Sequence, residues 1–318
     1  MRVDRSHPVA ASAFPYPLSS PGHEMLVSIL MPVRNQRRYI PQAVESIFEQ
    51  TPGGTGDDVE LVVADGASTD GTLEWLQALA ARDDRVRVFS APDTGPAQAI
   101  NRALARARGT LIGWLNADDV YTAGAIRRAL LAIEAHPDWL AVYGEGLHID
   151  AEGHALERYP SAPPSAGLAG FADGCFICQP TVFFRRTFAL LNGPLDETFR
   201  AAFDFEWWVR AFSRLQSRVG FLNEVQACTR LHANTITAIQ RQRVIIESMQ
   251  VVARYLGEVP THWVRAWIRE HEAQSGVAQG AEMATVRGCF LEAAAPLLGD
   301  SSAERLATAA GLVEEEPG

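Results

Sequence analysis

The residues that could do chemistry come as polar clusters placed where apolar runs stop. The first cluster is Asp65-Gly-Ala-Ser-Thr-Asp70-Gly-Thr72, directly after the apolar run Glu60-Leu-Val-Val-Ala64. Asp70 or Thr72 can cap a following helix, which accounts for Ser68 to Thr72 but not for an acid at the end of the run. The second, Asp93-Thr-Gly95-Pro-Ala-Gln98-Ala-Ile-Asn101, is a turn feeding a helix. The third is Asn116-Ala-Asp118-Asp119. Adjacent carboxylates repel unless a cation or hydrogen-bond donors offset their charge. Hard divalent cations take oxygen ligands and share them with substrate phosphates, so this pair reads as a metal and phosphate site. The fourth, Asp204-Phe-Glu206-Trp-Trp-Val-Arg210, sets an acid at the mouth of an apolar helix.

Elements of regular spacing must carry these clusters. Leu26 to Val33 is an apolar run of strand length. Pro41 opens a helix with Ala43, Val44, Ile47 and Phe48 on one face. After a Gly-rich loop from Thr51 to Asp58 come a strand over Glu60–Ala64 and a helix around Leu73, Leu76 and Leu79. A strand over Val86–Phe89, a helix over Ala97–Ala107 and a strand over Leu111–Leu115 follow. Alternating strands and helices predict an α/β fold with a parallel sheet covered on both faces. Ligands of such sheets bind beyond the carboxyl ends of the strands, where Asp65 and Asp118-Asp119 stand.

The second half is less regular. Tyr159 to Gly174, rich in Pro, Ala, Gly and Ser, reads as a long loop, a kind that is commonly functional in a compact domain. Phe176 to Leu191 holds two apolar stretches around Gln179-Pro180. Asp204 to Leu215 predicts a helix whose apolar face carries Trp207, Trp208, Ala211 and Leu215. From Ile239 the pattern is helical and Ala-rich, with Trp263 and Trp267 one turn apart.

Composition narrows the choice. With 318 residues, 47% of them apolar, the chain can bury a large core without disulfide or metal staples. The formal net charge of −10 argues against a nucleic-acid surface. All 28 basic side chains are Arg, which excludes a Walker A lysine, a Schiff-base lysine and a kinase-type ATP lysine. Cys175 and Cys178 form a CxxC pair without the second pair a zinc site needs, so the four cysteines read as free thiols in a reducing cytoplasm. No apolar run is long enough to span a membrane.

Taken in order, these pieces resemble the inverting glycosyltransferases of family 2, which have the GT-A fold. The resemblance lies in Val27-Ser-Ile-Leu-Met-Pro-Val-Arg-Asn35, Asp65-Gly-x-Ser-x-Asp-Gly-Thr72, Asp93-x-Gly95 through Asn101 and Trp114-Leu-Asn-Ala-Asp-Asp119. It continues through Gln179-Pro-Thr-Val-Phe-Phe184, Asp204 to Arg210 and Arg230-Leu-His232, and so covers about Leu26 to Thr237. It implies a nucleoside diphosphosugar donor, with Pro32, Val33 and Asn35 bordering the base and Asp65 accepting a hydrogen bond from it. The N3–H of uracil or thymine suits that acceptor, so UDP- or dTDP-sugars are favoured. Gln98 falls in the nucleotide-binding set, Asp118 contacts the ribose or metal, and Asp119 and His232 hold Mn²⁺ or Mg²⁺ against the diphosphate. Arg34 stands where relatives often carry Tyr or Phe; it can stack on a base or pair with a phosphate. Asp204, in the family's acid-x-x-x-x-x-Arg pattern, is the expected general base, with Glu206 the runner-up. Gln179, Glu206 and the loop from Tyr159 shape the acceptor pocket.

The expected organisation is a disordered leader over residues 1–25, a GT-A domain over 26–238 and a helical extension over 239–318. The tail from Glu314 is expected to fray. The acceptor is a glycan, a lipid-linked or a small-molecule hydroxyl, as in bacterial polysaccharide or glycoconjugate synthesis. Nucleic acid is not a partner. The tryptophans of the extension point to a homodimer or a peripheral membrane contact of a cytoplasmic protein. Two other classes share parts of the pattern. A nucleotidyltransferase would show a Gly-rich basic loop after the first strand, where Arg34-Asn-Gln-Arg-Arg38 has no glycine. A non-catalytic nucleotide-sugar-binding protein would bind donor and tolerate change at Asp204.

Overall fold

The computed structural model describes residues 27–49, 59–275 and 283–312. The expected leader, the loop from Thr51 to Asp58 and the tail from Glu314 lie outside the described residues. The first half alternates as its periodicity requires: β1 (Val27–Val33), α1 (Ile40–Phe48), β2 (Val59–Asp65), α2 (Thr72–Ala80), β3 (Val86–Ser90), α3 (Pro96–Arg106) and β4 (Leu111–Trp114). Then come β5 (Val120–Tyr121), α4 (Ala125–Ala135), β6 (Ala141–Ile149), β7 (Ala155–Arg158), β8 (Phe183–Arg185), α5 (Arg186–Asn192), α6 (Phe203–Leu215) and β9 (Val219–Arg230). The chain continues through α7 (Ile236–Ile239), α8 (Arg241–Leu256), α9 (Thr261–Ser275), α10 (Met283–Leu298) and α11 (Asp300–Ala309).

These strands form one sheet in the order β3-β2-β1-β4-β8-β6-β9-β5, with β7 paired to β6. β3, β2, β1 and β4 run parallel; β8 turns antiparallel between β4 and β6, and β9 lies parallel to β6. β1 and β2 are buried along their whole length because the pleat sends alternate side chains into two cores. Ile29, Met31, Leu61 and Val63 meet α1 and α4 on one face. Leu30, Val62 and Ala64 meet α3, α6 and the C-terminal helices on the other.

The expected loop from Tyr159 to Gly174 is more ordered than its composition suggests. It contains short 3₁₀ turns at Pro164–Ala166 and Leu168–Ala172. Phe171 plugs it into the core, stacked on Phe176 and edge-on to Phe212. The tryptophans that pointed to a dimer or a membrane contact are covered within the chain. Trp267 is buried against Phe290, and the indole N–H of Trp263 donates to the Ala172 carbonyl. Among the described residues no helix is long and apolar enough to cross a membrane.

Candidate active site

A cleft of about 1130 Å³ opens at the carboxyl ends of β1 and β4. One wall is Pro32, Val33, Arg34 and Gln36 with the Asp93–Pro96 turn; the floor is Asn116 to Asp119; the far wall is Ala201–Phe205 with parts of α7, α8 and α9.

The β1 and β2 ends are stitched together by side chains. Asn35 has a left-handed backbone (φ 54°), its N–H donates to Ser68 Oγ and its Oδ1 accepts from the Thr69 N–H. Asn35 is thus a clasp between two loops, and Arg34 and Gln36 face the cleft instead. Asp65 accepts from Ser68 Oγ at 2.5 Å and Ser90 Oγ at 2.6 Å and does not line the cleft. The Ser68 N–H is shared between the two Asp65 oxygens at 3.2 and 3.3 Å, so each oxygen has two donors, and only the two hydroxyls, which rotate, can be turned away. Gly66 lets the Asp93 carboxylate lie close beside it: a Cβ there would stand 2.6 Å from an Asp93 oxygen, and that side chain would have to move.

Gln98, expected at the nucleotide, lies outside the cleft wall. It donates to Glu197 at 2.9 Å and accepts from the Thr94 N–H, which holds the Asp93–Gly95 turn in place.

The acidic pair sits in a dense set of donors. Asp119 is 2% exposed and accepts from the Arg230 N–H at 2.9 Å and Asn116 Nδ2 at 3.0 Å. Asn116 also donates to Gln179, whose own amide donates to the Trp114 carbonyl. Burial and the neighbouring Asp118 charge push the Asp119 carboxyl up to about 7, and among the described residues no cationic side chain forms an ion pair with it. Asp118 is bonded instead to His232 Nε2 at 3.1 Å, bringing together residues far apart in the chain. His232 packs on the Tyr39 ring. Among the described residues no group of three or more His, Cys, Asp and Glu side chains forms a ready-made metal cage. Adjacent carboxylates with a histidine beside them nevertheless fit a hard cation that brings phosphate oxygens as its remaining ligands.

Asp204 lies in the first turn of α6 and faces the same cleft. A helix N-terminus lowers a carboxylate pKa, yet burial overrides that here and pushes Asp204 up to about 6. Its polar partner is the Phe205 N–H at 2.8 Å. Burial, then the Asp204 charge, pushes the Cys175 thiol up to about 12. With Cys178 also raised by burial, the CxxC pair is a pair of free thiols, Cys178 buried and Cys175 half-buried at the cleft.

Glu206 corrects an expectation. Positions two apart on a helix point roughly 200° from one another, so Glu206 turns away from the cleft that Asp204 faces. It pairs with Arg210 at 2.8 Å and accepts from Tyr255 Oη at 2.7 Å. It is neither in the acceptor pocket nor placed to act as a base. Gln179 does line the cleft, tied to Asn116 and Trp114.

Arg230 is the residue whose weight the sequence did not reveal. Buried, it donates to the Asp118, Asp150 and Ala151 carbonyls and to Gln42, and so shapes the loop under the acidic pair. Its position in Arg230-Leu-His232 was a signal of place but not of role.

A mostly parallel sheet with an acidic pair after β4, and a carboxylate on a facing helix, is the architecture of a glycosyltransferase with the GT-A fold. Residues 28–191 match the model for glycosyl transferase family 2, and the chain belongs to that family. It is 36% identical over 186 residues to a chondroitin synthase of Escherichia coli, covering 58% of this chain but 26% of that protein. It is 30% identical over 190 residues to a PGL/p-HBAD biosynthesis glycosyltransferase of Mycobacterium bovis, covering 59% of this chain and 70% of that one. In fold it is similar to S. aureus TarS 1-349 solved in complex with UDP-GlcNAc (TM-score 0.61, 16% identity, 89% of this chain and 83% of that one). It is also similar to the mannosyltransferase PcManGT of Pyrobaculum calidifontis, solved with GDP-Man and Mn2+ (TM-score 0.57, 18% identity, 93% and 89% covered).

Proposed function

We propose that this chain transfers a sugar from a nucleoside diphosphosugar to an acceptor hydroxyl with inversion at the anomeric carbon, using a divalent cation. The observation that carries this reading is the pairing, in one cleft, of an adjacent acidic pair at the end of β4, one member bonded to His232, with a separate carboxylate, Asp204, raised into the range of a working base. Solved neighbours holding UDP-GlcNAc, or GDP-Man with Mn2+, support the donor class and the cation.

Asp119, with Asp118 and His232, would hold Mn²⁺ or Mg²⁺. A cation there supplies countercharge for the diphosphate that departs. Asp204 takes the proton of the acceptor hydroxyl as that oxygen bonds to the anomeric carbon. The bond from that carbon to the diphosphate oxygen breaks, and the nucleoside diphosphate leaves with its electrons. One displacement from the opposite face inverts the configuration. Asp65 accepts from the base after its serine hydroxyls turn, which keeps UDP- and dTDP-sugars as the favoured donors. Residues 26–238 act as the transferase domain, and the helices after 239 complete the acceptor side. The acceptor is a glycan, lipid-linked or small-molecule hydroxyl of polysaccharide or glycoconjugate synthesis. The free cysteines support a reducing, cytoplasmic setting.

A thermal-shift panel of UDP-, dTDP- and GDP-sugars with and without Mn²⁺ tests the reading, because a ligand of the native state raises the melting temperature by mass action. A metal-dependent rise with one nucleotide class is expected. No rise with any of them, or full transfer by metal-stripped protein in EDTA, would overturn it.

A further inference from the structure

The helix that carries Asp204 begins without a cap of its own. Its N-cap residue is Ala202, whose side chain can accept nothing, and within the first turn Asp204 Oδ1 accepts from the Phe205 N–H. The N–H groups entering a helix need acceptors, and a buried helix start without them is unfavourable. Glu247 of α8, some forty residues later, accepts instead from the N–H of the N-cap Ala202 and of the two residues before it, fixing the segment that enters the helix. Its Oε2 accepts from the Ala201 N–H at 2.8 Å and the Ala202 N–H at 2.9 Å, and the Arg200 N–H is shared between Oε2 at 3.0 Å and Oε1 at 3.1 Å. The residue is 3% exposed. Its nearest cation, Arg243 Nη1, is 3.9 Å away, so the backbone N–H groups are its main partners. A negative charge at that end of α6 also complements the helix dipole. Farther along α8, Tyr255 Oη donates to Glu206, so α8 grips α6 at its cap and again beyond it. Ala201 and Ala202 themselves form cleft wall beside Asp204.

We propose that Glu247 is a positioning residue: by collecting the three N–H groups that lead into α6, it sets the place of the Asp204 carboxylate and makes α8 part of the transferase site. This rests on Asp204 acting as the base. Misplacing a catalytic group by about an ångström can slow a reaction up to roughly a hundredfold without weakening substrate binding.

The first arm of the test uses the unaltered protein. In hydrogen exchange, the amides of Arg200, Ala201 and Ala202 should be protected like those inside α6; exchange at the rate of an open loop overturns the proposal. The second arm measures kcat per donor-binding site, counted by titration with donor, so that loss of folded protein does not register. Glu247→Ala should lower kcat roughly ten- to hundredfold while donor Kd stays within about twofold. Glu247→Gln keeps an acceptor oxygen for Ala201 and Ala202 and should fall between the two. In an Asp204→Asn background, Glu247→Ala should slow transfer by less than about twofold more, the non-additivity expected of residues acting through one step. Glu247→Ala that turns over within about twofold of wild type per site overturns the proposal. If Glu247→Ala does not fold, Glu247→Gln decides: a lower kcat at unchanged donor Kd supports the proposal and an unchanged kcat overturns it. If Asp204→Asn alone turns over normally, the base assignment fails instead, and the exchange result still stands or falls on its own.

Discussion

Asp119 and Asp204 are both carboxylates that burial makes reluctant to ionise, but different kinds of structure hold them. Asp119 follows β4 and receives the Arg230 N–H and the Asn116 amide, with Asp118 beside it and His232 bonded to Asp118. Asp204 rides on a helix, receives the N–H of the next residue, and has Cys175 and Tyr159 for near neighbours. A carboxylate fixed by several donors next to another charge suits an ion that must be held still. A poorly hydrogen-bonded carboxylate in an apolar setting suits a proton that must be taken up and released. In the proposed function the strand-end region is therefore the binding device and the α6 region the proton-handling one.

The largest effect should come from breaking the first device. Asp119→Ala should lower transfer by roughly 10²–10³-fold or more, as loss of a preorganised electrostatic contact does, and should abolish the Mn²⁺-dependent part of donor binding in calorimetry. A variant that still binds donor in a metal-dependent way would show that Asp119 is not the ligand.

Next comes the second device. Asp204→Asn should slow transfer by about 10²–10⁴-fold, as loss of a general base does, while donor binding with Mn²⁺ stays normal. Near-normal turnover would remove α6 from the chemistry.

The same residue sets the pH response. A base raised to about 6 must be ionised to act, so with saturating cation, which keeps Asp119 ionised, wild-type kcat/KM should rise with pH through about 6 and level off above it. That limb should vanish in Asp204→Asn. Stability runs the other way. An unfolded Asp ionises near 4, so both states are protonated below that pH and the residue has no effect. As pH rises through about 6, the folded state must ionise a buried group, so Asp204→Asn should become the more stable protein. Equal melting temperatures for the two at pH 4 and at pH 8 would contradict the raised value.

Smaller effects should mark residues that support rather than act. Glu206→Gln weakens a buried ion pair and should lower stability by about 1–3 kcal/mol, read by denaturant unfolding, with turnover per folded molecule nearly unchanged. A hundredfold rate loss there would restore Glu206 to the active site. Gln98→Ala removes bonds to Glu197 and Thr94 and should cost about 1 kcal/mol, with donor Kd rising no more than about threefold. A much larger loss of donor affinity would put Gln98 back at the nucleotide.

Residues Val27 to Asp119 were legible from the chain alone because local rules govern them. Short, mostly apolar runs alternating with amphipathic helices read as strands buried on both faces, and a strand end in a parallel sheet is where ligands bind. Asp118 and Asp119 could therefore be placed at a ligand-binding edge before their neighbours were known, whereas Asp204 was singled out through the resemblance, by its spacing to Arg210. Orientation and partnership could not. Asp204 and Glu206 look alike on paper, and only α6 docking against α8 decides that one faces the cleft while the other is locked to Arg210 and Tyr255. Asn35 and Gln98 carry the right chemistry for a nucleotide but are taken up by Thr69 and Glu197, across bonds that exist only after the chain closes on itself. The pKa of Asp204 makes the same point. Its helix position argues for a low value, and the burial created by distant segments reverses the sign. Periodicity and residue type determine which elements form and where polar groups stop. Which polar groups face one another, and how much water is left between them, is decided by packing over long sequence distances, because desolvation and hydrogen-bond pairing belong to the assembled volume rather than to any stretch of chain.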